Sequence, residues 1–185
     1  MSSREQIIKA IQRQSIDPVP LPSMNEAWTQ YEDLRKHFAE TLASVGGEAR
    51  FVPDHQALQN DLQQLAPYQA AALRVLQVDG IEPGNIQLDQ IDDPHDLADV
   101  DFAMLPAQFG VAENAALWVT ADQVRHRAIY FITQHLCLVV PVGELVHNMH
   151  QAYERISFSG PQFGCFVSGP SKTADIEQSL VIGAH

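Results

Sequence analysis

Gly169-Pro170-Ser171-Lys172-Thr173-Ala174-Asp175-Ile176-Glu177 is the stretch on which the reading of this chain turns. It follows Cys165-Phe166-Val167, a short apolar run with the character of a buried strand. Beyond it, Asp175 to Val181 reads as a helix. A strand that turns through Gly-Pro into a helix leaves backbone N–H groups unpaired at the helix start. Ser171 and Thr173 supply capping hydroxyls, and Asp175 and Glu177 fall in the first turn, where the helix dipole favours carboxylates. Hydroxyl, ammonium and carboxylate groups therefore gather at the carboxyl end of a strand, which is where open α/β sheets bind ligands. The plainer alternative is a well-capped βα turn. Gly164 and Gly169 have P-loop spacing, but Pro170 stands where the P-loop lysine is required, so nucleotide hydrolysis is rejected.

Outward from this turn, strands and helices alternate. Leu136 to Val140 is fully apolar and suits a central strand, and Gly143 to Ser157 reads as a helix with the stripe Leu145, Met149, Ala152 and Ile156. Ala115–Thr120 and Ala128–Ile132 read as strands of a hairpin, and Asp101 to Leu105 leads into the sheet. Upstream, Asp54 caps a helix carrying Leu58, Leu62 and Leu65. Asn25 caps a long helix with Trp28, Tyr31, Leu34, Phe38, Leu42 and Val45, ended by Gly46-Gly47. Glu48 to Val52 is a short strand candidate. Ser3 and Gln6 form a capping-box pattern before the stripe Ile7, Ile8 and Ile11. That first helix runs into Asp17-Pro18-Val19-Pro20-Leu21-Pro22, so residues 1–22 read as a helix on a stiff arm that packs elsewhere, such as on another subunit. The pattern predicts an α/β fold in three layers around a central, mostly parallel sheet.

Composition narrows the function classes. The 185 residues carry a net charge of −12 with only 11 Lys plus Arg, which opposes nucleic-acid binding and adhesion to anionic membranes. No apolar run reaches bilayer length, and Met1-Ser2-Ser3-Arg4-Glu5-Gln6 lacks a signal-peptide core, so a cytoplasmic protein is expected. The two cysteines, Cys137 and Cys165, read as buried thiols and are too few for an ordinary iron–sulfur cluster within one chain. No dinucleotide fingerprint occurs, so no cofactor is expected. His147 and His150, with Glu144 and Glu154, lie opposite the apolar stripe of their helix and are read as solvent-facing, so no metal site is assigned. Arg125-His126-Arg127 is a local basic cluster that suits a solvated loop or an anionic partner. Glu113 and Asn114 stand between apolar runs, and His135 opens a strand.

These segments together resemble the LUD domain family. Ser168-Gly-Pro-Ser-Lys-Thr-Ala-Asp-Ile-Glu177, followed by Leu180-Val-Ile-Gly-Ala-His185, is similar to the family's GPS-[RK]-T-[AG]-D-I-E run and its G-x-H ending. Gly110-Val-Ala-Glu-Asn-Ala115 is similar to G-[IV]-A-E-T-G, and Phe131-Ile-Thr-Gln-His135-Leu to a further family strand. The resemblance implies a LUD-like domain over residues 23–185, with a fold similar to ribose-5-phosphate isomerase and CoA transferases. It implies a part in oxidising L-lactate to pyruvate alongside iron–sulfur partner proteins. Asn114-Ala115 replaces the family's Thr-Gly, and Glu113-Asn114 is also similar to the Glu-Asn-Gly turn of CoA transferases, whose Glu is the nucleophile. An acyl- or CoA-transferring enzyme is therefore the alternative, and a small-anion sensor or assembly module a third. Family members continue past the G-x-H with a further strand, so a chain ending at His185 is expected to leave a sheet edge for self-association. The expected site places Glu113 and Asp175 as catalytic groups. His135, Gly169, Ser171, Lys172 and Thr173 hold a small anionic metabolite, all at the carboxyl edge of the sheet, with Lys172 directed at the pocket or at Glu113.

Overall fold

The computed structural model describes residues 2–13, 19–23, 26–157, 159, 163–173 and 181–182, with backbone only for Thr173, Val181 and Ile182. The helix α1 (Ser3–Gln12) is capped by Ser2, whose hydroxyl accepts from the Glu5 amide while the Glu5 carboxylate accepts from the Ser2 amide. The capping box thus sits one residue earlier than the Ser3–Gln6 spacing predicts. Then follow α2 (Leu34–Ser44), α3 (His55–Leu62), α4 (Ala66–Ala70), β1 (Arg74–Leu76), β2 (Phe102–Pro106), β3 (Phe109–Val111) and β4 (Ala116–Thr120). The chain continues with α5 (Ile129–Ile132), β5 (His135–Val139), β6 (Leu145–Val146), α6 (Met149–Arg155), β7 (Gly164–Val167), β8 (Lys172–Thr173) and β9 (Val181–Ile182).

The strands β1, β2 and β5 form a wholly parallel sheet in the order β1-β2-β5. The central strand is buried on both faces from Phe102 to Leu105, and its alternating side chains enter two cores. Phe102 and Met104 pack with Leu62 of α3 and Tyr68 of α4, whereas Ala103 and Leu105 pack with Leu88, Leu97, Val100, Ile129 and Tyr130. One sheet between two apolar layers is the three-layer α/β arrangement that the alternating pattern predicts.

Chain pairing is handed on from this sheet to a second. Just past β2 comes β3, and just past β5 comes β6, and β3 and β6 again pair in parallel. The Ala107 amide bridges the two sheets by donating to the Val139 carbonyl at 2.8 Å. The second sheet, β6-β3-β4-β7, is mixed because β4 is antiparallel to both β3 and β7. Gly110 faces α2, where a Cβ would lie 2.7 Å from Leu145 and 2.8 Å from Leu117, while Phe109 and Val111 pack with Ala152 of α6. No described helix is long and apolar enough to cross a membrane.

Several local expectations give way to tertiary contacts. The long helix from Asn25 begins only at Leu34, capped by Asp33, and Glu48–Val52 is not a strand. Ala128–Ile132 contains α5 rather than a strand, so the hairpin partner of β4 is β3. The helix read from Gly143 to Ser157 forms only over Met149–Arg155, because Leu145 and Val146 are drawn into the sheet beside β3. After the Gly-Pro turn, Lys172–Thr173 forms a ladder with Val181–Ile182, and the rest of the helix read from Asp175 lies outside the described residues.

Asp101 ties the start of the sheet to the preceding layer. Its Oδ2 accepts from the amides of Leu73 and Ala72, both at 2.8 Å, and these bonds hold its pKa below the ordinary aspartate range. A depressed folded-state pKa gives stability that is present above the unfolded value of about 3.9 and lost as pH falls through the folded value. Asp101→Asn is expected to be less stable than the unmodified chain at neutral pH. The gap should close as the pH falls through the folded-state value, in urea unfolding measured as a function of pH.

Candidate functional site

The β3–β4 turn carries Glu113. The Ala112 amide donates to the Val146 carbonyl at 2.8 Å and the Glu113 amide to the His147 carbonyl at 3.0 Å, prolonging the β3–β6 ladder into the turn. Asn114 then closes the turn with its Oδ1, which accepts from the Ala116 amide at 3.2 Å. Ala115 takes the left-handed conformation, with φ 51°, at the position where the family pattern has glycine. This geometry aims the exposed Glu113 side chain at the start of α6, where its Oε2 accepts from the Met149 amide at 2.8 Å. Asn148, the N-cap residue, accepts from the Gln151 amide, so two side chains serve the orphan donors of one helix end.

The Ser168–Pro170 turn meets the same end of the second sheet. The Ser168 hydroxyl donates to the Asn114 carbonyl at 2.7 Å. Gly169 is left-handed, with φ 67°, and a Cβ there would lie 2.9 Å from Val45 Cγ2 and 3.0 Å from its carbonyl oxygen. Pro170 lies against Gly46, so the Gly46-Gly47 turn after α2 forms a third wall. Gly169→Ala is expected to cost about 1–3 kcal/mol, the left-handed penalty plus displacement of Val45, read as a lower urea midpoint at unchanged m-value.

Of the residues singled out in the sequence, Glu113 and Gly169 are thus brought to one place, and the exposed Ser171 and Lys172 follow within three residues of Gly169. Thr173 continues β8, and Asp175 lies outside the described residues, as do Gly183 and His185. His135 does not join them. It pairs with Phe102 at the amino end of the parallel sheet, beside Asp101, whereas Glu113 follows the far end of β3. A residue that opens a parallel strand occupies the edge opposite the one where ligands gather. Lys172 forms no ion pair among the described residues, and the partner of Glu113 is the Met149 amide rather than that lysine.

Two histidines read as solvent-facing instead fasten the segment before α2 to this end of the molecule. His147 is half-buried, and its Nδ1 accepts from the Tyr31 amide at 2.9 Å. His150 stacks on Trp28 with ring centroids 3.5 Å apart, and the Asn148 side-chain amide donates to the Thr29 carbonyl at 2.9 Å. The 3–4 spacing of Trp28 and Tyr31 imitates a helix stripe, so their role as an extended strap leaves no separate sequence signal. Among the described residues no group of three or more His, Cys, Asp or Glu side chains could hold a metal ion. Burial pushes the Cys137 thiol up to about 11, away from thiolate chemistry. The Arg125-His126-Arg127 cluster lines an open cavity of about 300 Å³ with Pro94, Ala121 and Ala128, and Arg125 is paired there with Asp92.

A three-layer α/β domain that gathers a glycine-rich turn, a carboxylate turn and a hydroxyl-bearing turn at one end belongs to the class of α/β proteins with loop-built sites. Within that class, the family model of the LUD domain matches residues 87–185, more than half of the sequence, and the chain belongs to this family. It is 26% identical to an uncharacterized protein of Neisseria meningitidis serogroup B, over all of this chain and 90% of that one. It is 35% identical to the lactate utilization protein C of Geobacillus kaustophilus over 40% of this chain and 34% of that protein. Identity is 32% to the protein of the same name from Oceanobacillus iheyensis, over 40% and 35%. The matches to these two proteins thus span about a third of their length. No solved structure matches the chain.

Proposed function

We propose that this protein serves lactate utilisation as a cytoplasmic subunit that itself lacks a cluster, working with iron–sulfur proteins in the oxidation of L-lactate to pyruvate. The observation that carries the reading is the LUD match over residues 87–185, which contains both the Glu113 turn and the Ser168–Thr173 turn, together with the likeness to lactate utilization protein C. Oxidation of lactate releases two electrons and two protons. The electrons pass to the partner proteins, since two cysteines in one chain do not make an ordinary cluster. In this reading the chain contributes binding and orientation. Lys172 and the polar Ser168–Thr173 turn face a small carboxylate, while Glu113 holds the turn in register through the Met149 amide.

Deleting the gene is expected to abolish growth on L-lactate while leaving growth on glucose intact. The unmodified gene should restore it, and Lys172→Glu should not, at equal protein level. Normal growth of the deletion strain on L-lactate, in a strain with no second LUD gene, would overturn the reading. Purification of the tagged chain from lactate-grown cells should also bring down iron and acid-labile sulfide in a partner fraction.

A further inference from the structure

The helix α1 buries none of its side chains against the rest of the described chain, and Ile7, Ile8 and Ile11 are 61%, 40% and 64% exposed. A free helix of ten residues is marginal in water, and tertiary cover normally supplies its stability. Its charge is opposite to that of the protein. Residues 2–13 hold Arg4, Lys9 and Arg13 against Glu5 alone, within a chain of net charge −12. Behind it comes the segment 19–23, exposed and rich in proline, whose fixed φ angles favour an extended spacer.

Among the described residues, the body exposes large apolar side chains at Phe131 and Ile132, at Val142 and Tyr153, and at Phe51 and Val52. Phe131 and Ile132 adjoin the basic Arg125–Arg127 segment, which repels a basic helix. Val142 and Tyr153 adjoin the Glu144–Arg155 ion pair, whose charges cancel. Phe51 and Val52, 49% and 36% exposed, are flanked by Glu48, Asp54 and Asp61, and the one cation among them, Arg50, is bonded to both Glu48 and Asp61. This is the patch whose shape and sign suit α1.

We propose that α1 docks through Ile7, Ile8 and Ile11 on the Phe51–Val52 patch of a second copy of this chain. The exchange is reciprocal, giving a closed two-fold dimer in which each acidic patch receives one basic arm. Arg4 lies on the same face of the helix as the three isoleucines and meets the carboxylates around Phe51.

Sedimentation velocity of the full chain reads the proposal directly. The unmodified protein is expected to sediment as a dimer that weakens as salt is raised. Ile11→Asp and Phe51→Asp are each expected to give folded monomers whose thermal midpoint no longer rises with protein concentration, as that of the unmodified dimer does. Arg4→Glu is expected to weaken the dimer, with restoration when Glu48→Lys is added. A monomer at concentrations up to about 100 μM overturns the proposal. So does a dimer indifferent to Ile11→Asp or to Phe51→Asp, or a monomer whose α1 binds vesicles of phosphatidylserine and phosphatidylcholine.

Discussion

Leu105→Ala is expected to lower the unfolding free energy by about 3–5 kcal/mol. Leu105 is completely buried in the central strand, packed among Val75, Leu97, Val119 and Ile129. Removing three side-chain carbons there forfeits their transfer free energy and leaves a cavity that flanking strands cannot close, since β2 is hydrogen-bonded on both sides. Against a typical domain stability of about 5–15 kcal/mol, such a loss removes between about a fifth and the whole of the folded state's margin. The control is Val142→Ala at a site 52% exposed, expected to change stability by less than about 0.5 kcal/mol. Urea unfolding of the two variants measures the contrast, and similar midpoints would show that β2 is not the centre of the core.

Gly84→Ala is expected to cost about 3 kcal/mol, through a different mechanism. A Cβ at Gly84 would fall 2.2 Å from the Arg74 carbonyl oxygen and 2.8 Å from its carbon, and backbone atoms cannot swing aside as a side chain can. The Gly84–Ile86 loop must then lift from β1. It takes with it the bonds from the Arg74 amide to Asn85 Oδ1, from the Asn85 side-chain amide to the Ala72 carbonyl, and from the Ile86 amide to the Arg74 carbonyl. Three bonds at about 1 kcal/mol each give the expected cost. The displaced loop also uncovers the outer edge of β1, so the variant should aggregate more readily on partial unfolding. Hydrogen exchange at Arg74 and Ile86 localises the effect, and protection unchanged from the parent chain would contradict the mechanism.

The legible parts of this fold are those governed by local chemistry. Asp54 caps α3 because an acceptor one residue before a helix satisfies its free amides whatever surrounds it. The β2 run is apolar throughout because both faces of the central parallel strand are covered, whereas the apolar Leu136–Val139 run, expected as a central strand, lies in β5 at the end of the order β1-β2-β5 and is only half-buried. What was not legible depends on partners distant in sequence. Leu145 has helical spacing with Met149 and Ala152, yet the open edge of β3 claims it. Ile129 and Tyr130 are β-prone, but the turn after Thr120 coils them into α5 beneath the sheet. For the candidate site, Glu113 and Gly169 were legible as polar and glycine breaks between strands. The spacing of His135 could not reveal which edge of the sheet it opens, because a single residue beside a strand carries no sign of strand direction.

The strap that lies across α6 also sets an order of events during synthesis. Trp28 and Tyr31 leave the ribosome early, but their ring and backbone partners, His150 and His147, are more than a hundred residues downstream. Until those histidines emerge, the Trp28–Tyr31 segment lacks the partners that hold it at the start of α6, although Tyr31 can already stack on His37. The parallel sheet has all its strands once Val139 is out, so its core, with Leu62 of α3 packed on it, can close first and the Trp28–Tyr31 strap must wait. The end of the molecule bearing Glu113 and Ser168 is therefore among the last regions to be finished, which ties its integrity to complete translation of the C-terminal residues.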